Sequence, residues 1–296
     1  MQDIGEILWP AVAPVVIAAI GVPLAAWLHR GEPAWRRSPA WLGLVIAVAY
    51  AVSHWGLRGW QGFPPGNVHD WMPFIALSSV LLLFCASCVG NGWWQTAMRL
   101  LLTSGTVAVL LSKRFPIWTA TDITMWVGGL GIAWALVLIA WERVARASTP
   151  GVAVVGLLLV ALWSSLALVL FGSMTHGQFA GMIAAALGVV MVLAWWRPSL
   201  WSDTGAATVA GLVLPGLWVL GLFYFGPALP YWVPLMLALA GCAPWLATIP
   251  ALRGRAPWQR LLVVVLASTA LAAPVLIAGG IASPKPAAES GGPSYK

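Results

Sequence analysis

Long apolar runs, each near the length of a bilayer crossing, alternate with short polar breaks along almost the whole chain. Ten runs stand out, at about 7–28, 39–56, 72–90, 97–112, 120–141, 152–172, 178–196, 205–225, 230–250 and 261–281. A membrane helix needs roughly 20 predominantly apolar residues. Gly, Pro or charge marks nearly every junction, as helix ends require. The pattern predicts an all-α fold: a polytopic transmembrane helical bundle of about ten spans with no sizeable soluble domain. Residues 1–282 make one transmembrane domain, and the small, polar, Pro-rich stretch 283–296 is expected to be a disordered tail. The longest connection, Gly56 to Asp70, carries Phe63-Pro64-Pro65-Gly66-Asn67, which is turn chemistry.

Composition strengthens this picture. The hydrophobic fraction of 61% exceeds the roughly 45–50% of soluble domains, and mean hydropathy is +0.90. Of 21 tryptophans, most fall at run ends, among them Trp9, Trp27, Trp41, Trp55, Trp71, Trp118, Trp141, Trp195 and Trp232. Trp collects where hydrocarbon meets lipid headgroups. Trp126, Trp134, Trp163 and Trp218 sit clearly inside runs. The net charge of +7 comes from Lys and Arg in short loops, with no block of five or six like charges. That excludes a nucleic-acid partner and leaves membrane lipid as the expected one.

Charge placement sets the expected orientation. With the N-terminus outside, ten of the fifteen Lys and Arg (Arg30, Arg36, Arg37, Arg99, Arg143, Arg146, Arg197, Arg253, Arg255 and Arg260) lie in inner loops. The outer side keeps Arg58, Lys113, Arg114, Lys285 and Lys296. The fourth run is the shortest, and if it failed to cross, the split would become eight to seven. The positive-inside rule favours ten to five, with Arg99 and Lys113 snorkelling in opposite directions to extend that helix. Both termini are therefore expected on the non-cytoplasmic side. The absence of Asn-x-Ser/Thr sites and long loops suits a bacterial inner membrane. Trp71-x-Pro73 and Arg99-Leu100-Leu101 recur 161 residues later as Trp232-x-Pro234 and Arg260-Leu261-Leu262. This suggests a parallel repeat relating 71–112 to 232–273.

Ionisable residues at membrane depth are costly and usually functional, and the runs hold almost none. Asp122 is the exception, opening the fifth run within Thr119-Ala120-Thr121-Asp122-Ile123-Thr124. Either Thr119, Thr121 or Asp122 caps the helix, with an acid there suiting the dipole, or Asp122 is a coupling or substrate carboxylate of an outward vestibule with Lys113 and Arg114 as partners and Thr121 beside it. Glu142, next to Arg143 and four residues before Arg146, reads as an interfacial pair. His54, His69 and His176 fall at the outer face with Asp70. Their residue types suit a metal or proton site, but their spacing matches no ligand motif. Cys85 and Cys88 are three apart on one helix face and read as small core residues. No metal or other cofactor is expected.

Helix breakers offer another route to function. Pro10, Pro14 and Pro23 punctuate the first run, Pro215 and Gly216 the eighth, Pro234 and Pro244 the ninth, and Pro274 the tenth. Carbonyls freed by such breaks coordinate solutes in transporters. Gly177-x-x-x-Gly181 and Gly128, Gly129 and Gly131 read as packing faces. No His-Glu-x-x-His, Gly-x-Ser-x-Gly or Walker motif occurs, so an enzyme is disfavoured. Two functions remain. One is a passive or weakly coupled transporter of a small neutral, amphipathic or lipid-like solute. It predicts a polar cavity near mid-membrane bordered by Ser164, Ser165, Thr208, Tyr224 and Thr248. The other is a non-catalytic structural or assembly subunit of a larger complex, whose partners are other membrane subunits.

Overall fold

The computed structural model describes residues 4–28, 39–88, 92–149, 151–196, 203–224 and 229–282. These residues form eleven α-helices. They are α1 (Ile4–Leu28), α2 (Pro39–Arg58), α3 (Met72–Cys88), α4 (Gly92–Leu111), α5 (Ala120–Ala147), α6 (Val152–Leu170), α7 (Met174–Trp196), α8 (Asp203–Tyr224), α9 (Trp232–Ala240), α10 (Pro250–Arg253) and α11 (Pro257–Ala282). Three 3-10 turns link them, at Val68–Trp71, Ser112–Ile117 and Ala243–Thr248. No strand occurs among the described residues. The expected tail and the loop arginines Arg30, Arg36, Arg37 and Arg197 lie outside them.

Eight helices are long and apolar enough to cross a membrane, and two shorter apolar segments, Trp9–Ala25 and Trp232–Thr248, complete the ten expected runs. The surface agrees, since Leu101, Trp196 and Ile281 stand 78%, 84% and 81% exposed. Large apolar side chains displayed on this scale mark a lipid-facing wall.

The centre of the bundle is α8, which packs against α2, α3, α4, α5, α6 and α7. Every residue from Gly205 to Gly221 is buried. Its run of small residues (Ala206, Ala207, Ala210, Gly211) lets neighbours approach closely, which holds helices together where no hydrophobic force separates them from lipid. A β-carbon on Gly177 would come within 2.3 Å of Val169 Cγ2, so the Gly177 face of α7 is committed to α6.

Two expectations change. The fourth crossing begins at Gly92, ahead of the expected residue 97, so Arg99 lies inside α4 and is buried instead of snorkelling at its end. The ninth run is not one helix: α9 stops at Ala240, and a turn at Gly241 leads into the 3-10 segment that carries Pro244. Pro244 has no N–H to continue an α-helical ladder. A side chain at Gly241 would meet the Trp141 indole, which comes 2.4 Å from the β-carbon position. The segments paired by the 161-residue spacing thus differ, a 17-residue α3 against a nine-residue α9.

Candidate functional site

Side chains of chemical interest gather at the two ends of the bundle. One end joins the C-termini of α2, α4 and α8 to the N-termini of α3 and α7, and holds His54, His69 and His176. His69, in the 3-10 turn before α3, places Nδ1 2.8 Å from Nε2 of His176 on α7. Ser173 fixes the far side of that ring through His176 Nδ1. In each contact one atom must donate and the other accept, so the two facing nitrogens share a single proton.

His54 lies deeper, fully buried, with its ring stacked on Phe179 at 4.3 Å between centroids. Neither of its nitrogens makes a hydrogen bond, although the His69 backbone is near enough to act on it. The hydroxyl of Tyr50, one helical turn further in, is likewise buried and unpartnered. Asp70 is 4% exposed; its Oδ1 accepts from Arg58 Nε at 3.1 Å, while Oδ2 has no partner. Tyr224, whose ring is 6.4 Å from that of His69, donates its hydroxyl to the Leu110 carbonyl at 2.8 Å. Arg114 lies over the Tyr224 ring at 5.3 Å and donates to the Phe223 carbonyl.

The fold therefore assembles His54, His69, Asp70 and His176, and adds Arg58 and Tyr50, which no sequence spacing singled out. It does not arrange them as a metal centre. Among the described residues no group of three or more His, Cys, Asp or Glu has ligating geometry. The facing nitrogens of His69 and His176 are spent on each other, and His54 lies against a phenyl ring.

Asp122 and Thr121 stand apart from this cluster and are exposed or partly so. Thr119 and Asp122 form a capping box at the start of α5: Thr119 Oγ1 accepts from the Asp122 N–H at 3.2 Å, and Asp122 Oδ2 accepts from the Thr119 N–H at 3.0 Å. Lys113 is exposed in the 3-10 turn after α4.

The opposite end carries arginines. Glu142 of α5, 2% exposed, receives Arg99 Nη2 of α4 at 2.6 Å and Arg146 Nη2 at 3.1 Å on Oε2. Thr208 of α8 donates to Oε1 at 2.8 Å. The Glu142–Arg146 pair was legible as an i,i+4 contact; Arg99, 43 residues away, was not. Beside it, Asp203 at the start of α8 accepts from the Gly151 N–H at 3.0 Å, capping α6 from another helix.

Between the ends, two helix breaks, at Pro215 in α8 and after α9, are closed from within. Pro215 cannot donate to the Gly211 carbonyl four residues earlier. The Trp134 indole does so instead, at 2.7 Å. At the end of α9 the Cys242 N–H turns to Leu239, which would leave the Ala238 carbonyl bare. The Trp141 indole takes it at 3.0 Å. Trp141 is thus a core residue (1% exposed), not an interfacial one. Trp218 donates to Ser164 Oγ at 3.0 Å, and Ser165 donates to the Gly177 carbonyl at 2.7 Å. Thr248 bonds the Trp245 carbonyl at 2.7 Å. The side chains expected around a mid-membrane cavity all make internal hydrogen bonds.

A groove of about 500 Å³ opens on the flank between α3 and α4, lined by Phe74, Ser78, Leu81 and Cys85 on one side and Leu101, Gly105 and Val109 on the other. Cys85 and Cys88 are exposed on this flank and are not core residues. No family model, curated protein or solved structure matches this chain.

Proposed function

We propose that this chain is a non-catalytic structural or assembly subunit of a bacterial inner-membrane complex, with its arginine end toward the cytosol. One observation carries the reading. The carbonyls freed at Pro215 and after Ala240, where a transporter would bind its solute or hinge, are occupied by Trp134 and Trp141. A break sealed by a neighbouring indole holds its helix in one arrangement. Transport by alternating access needs two. The peripheral helices α4, α5 and α11 keep most of their surface outside the bundle, the surface that neighbours would cover.

The experiment is purification in mild detergent followed by mass spectrometry of associated proteins, with the purified chain also placed in liposomes. A stoichiometric membrane partner and no solute uptake are expected. A monodisperse monomer that moves a solute on its own would reverse the assignment. The transporter of a small neutral, amphipathic or lipid-like solute keeps one observation in its favour: the unpartnered polar atoms of Tyr50, His54 and Asp70 at the histidine end.

A further inference from the structure

We propose that the groove between α3 and α4 binds one acyl chain of an anionic phospholipid, whose phosphate is held by Lys113. The site is independent of whether the bundle serves as a subunit or a transporter. Its lips are Leu81 and Leu101, 66% and 78% exposed on the lipid-facing wall. Its hydroxyl protons are committed: Ser78 donates to the Ile75 carbonyl at 2.7 Å and Thr106 to the Leu102 carbonyl at 2.8 Å. What remains is hydrocarbon, so the occupant is hydrocarbon.

Size selects the kind of occupant. From Trp71 to Cys85 the groove follows α3 for about 20 Å at 1.5 Å per residue, somewhat more than one leaflet of a core about 30 Å thick. Counted out to its walls and open mouth, the space is about 1060 Å³, a mean cross-section of about 50 Å² over that length. A helix, about 10–12 Å across, needs about 80–110 Å². The groove admits unbranched hydrocarbon and is narrower than a helix of a partner. Gly105 keeps it open, since a β-carbon there would meet nothing within 4 Å.

Charge selects the headgroup. The groove ends near an aromatic cluster in which Trp55, Trp60, Phe63 and Trp71 surround Phe74, with neighbouring centroids 4.8–6.0 Å apart. Such rings sit at the headgroup level. The α4 side of the groove, Leu101, Gly105 and Val109, ends one turn before the 3-10 segment that carries Lys113. Neighbouring Arg58 is paired to Asp70, and Arg114 is held by Tyr224 and Phe223. Lys113 is exposed and follows the groove's last α4 residue, Val109, by four residues.

The test is native mass spectrometry of the full chain after exchange into detergent containing equal phosphatidylglycerol and phosphatidylcholine. The wild type is expected to retain one phosphatidylglycerol. Gly105→Phe fills the groove from a position with open space, and should lower retention about tenfold. Lys113→Gln should keep a bound lipid but lose about fivefold of the preference for the anionic head, the effect of about 1 kcal/mol per lysine. Should Gly105→Phe not fold, Cys85 in the groove is the reporter. In a Cys88→Ser, Cys242→Ser background its alkylation by N-ethylmaleimide should slow as either lipid is added, at about fivefold lower phosphatidylglycerol than phosphatidylcholine. Equal retention by wild type and Gly105→Phe, or alkylation indifferent to either lipid, overturns the proposal. A dimer that Gly105→Phe abolishes assigns the groove to a second copy and overturns it as well.

Discussion

At the arginine end Glu142 is 2% exposed and both its oxygens are bonded, one to two guanidinium groups and the other to a hydroxyl. At the histidine end Asp70 is 4% exposed, yet one oxygen has no partner, and two nitrogens of His54 and the hydroxyl of Tyr50 share that condition. Both ends bury a paired carboxylate, but only Glu142 is bonded at both oxygens. A saturated network ties α4, α5 and α8 into a brace, and its value is rigidity. Unsatisfied buried polar groups cost stability in the resting protein and persist where something else uses them. Apart from the Ser148 hydroxyl, buried and unpartnered at the C-terminus of α5, the difference divides the molecule into an end that holds its shape and an end with chemical capacity to spare.

The largest expected effect comes from breaking the brace. Glu142→Ala leaves Arg99 buried and unpaired, and removing one partner of a buried ion pair costs about 3–5 kcal/mol. Thermal unfolding in detergent should show the largest loss of stability of any substitution considered for this chain. Replacing the set together, with Arg99→Met, Glu142→Leu and Thr208→Val, should recover most of it, because a well-packed apolar substitute is often neutral. A triple variant as unstable as Glu142→Ala would mean that the charges do more than brace.

The second effect concerns the sealed helix breaks, which belong with the saturated end. Trp134→Phe keeps the ring but removes the donor to Gly211, and an unsatisfied buried carbonyl costs about 1–3 kcal/mol. In a Pro215→Ala background the new backbone N–H at position 215 can reach that carbonyl. The same Trp134→Phe change should then cost less, with a coupling of at least about 0.5 kcal/mol in a double-mutant cycle of unfolding free energies. Additive costs would show that the indole supports packing alone.

At the histidine end the expected sign reverses. His54→Leu deletes two unpartnered nitrogens while filling similar space, so stability should stay within about 1 kcal/mol of wild type or rise above it. A loss well beyond that, measured in the same detergent, would place an undetected partner on the imidazole and erase the contrast between the ends.

Much of this molecule was legible in its sequence, unevenly and for physical reasons. Run length and hydropathy gave the all-α bundle, because a bilayer dictates both. Capping chemistry at Thr119 and Asp122 was readable because it is local. Long-range partnership was not. Nothing in the spacing says that Arg99 points at Glu142 or that His69 meets His176, since those contacts depend on how α4 crosses α5 and α7 abuts the turn before α3. The tryptophans mark the boundary best. Interface and core both use Trp, for its amphipathic ring in one and its lone donor in the other. Position within a run separated Trp134 from the belt but misplaced Trp141. A proline four residues after a bare carbonyl is the signal that could have found the first of these pairs.

The smallest effect is expected at Asp122, and it bears on the comparison from outside both ends. The carboxylate is exposed and spends Oδ2 on the Thr119 N–H and hydroxyl, while Arg114 is turned toward Tyr224. Asn keeps an oxygen in the same place at N3 of the capping box but loses the charge that suits the dipole, so Asp122→Asn should lower stability by less than about 1 kcal/mol and leave any liposome activity unchanged. A coupling carboxylate behaves differently, because losing its charge removes the step it serves. Abolished or pH-insensitive uptake in Asp122→Asn, with stability intact, would make the exposed acid the functional one. The unsatisfied polar groups behind the histidines would then lose their claim to be the working end.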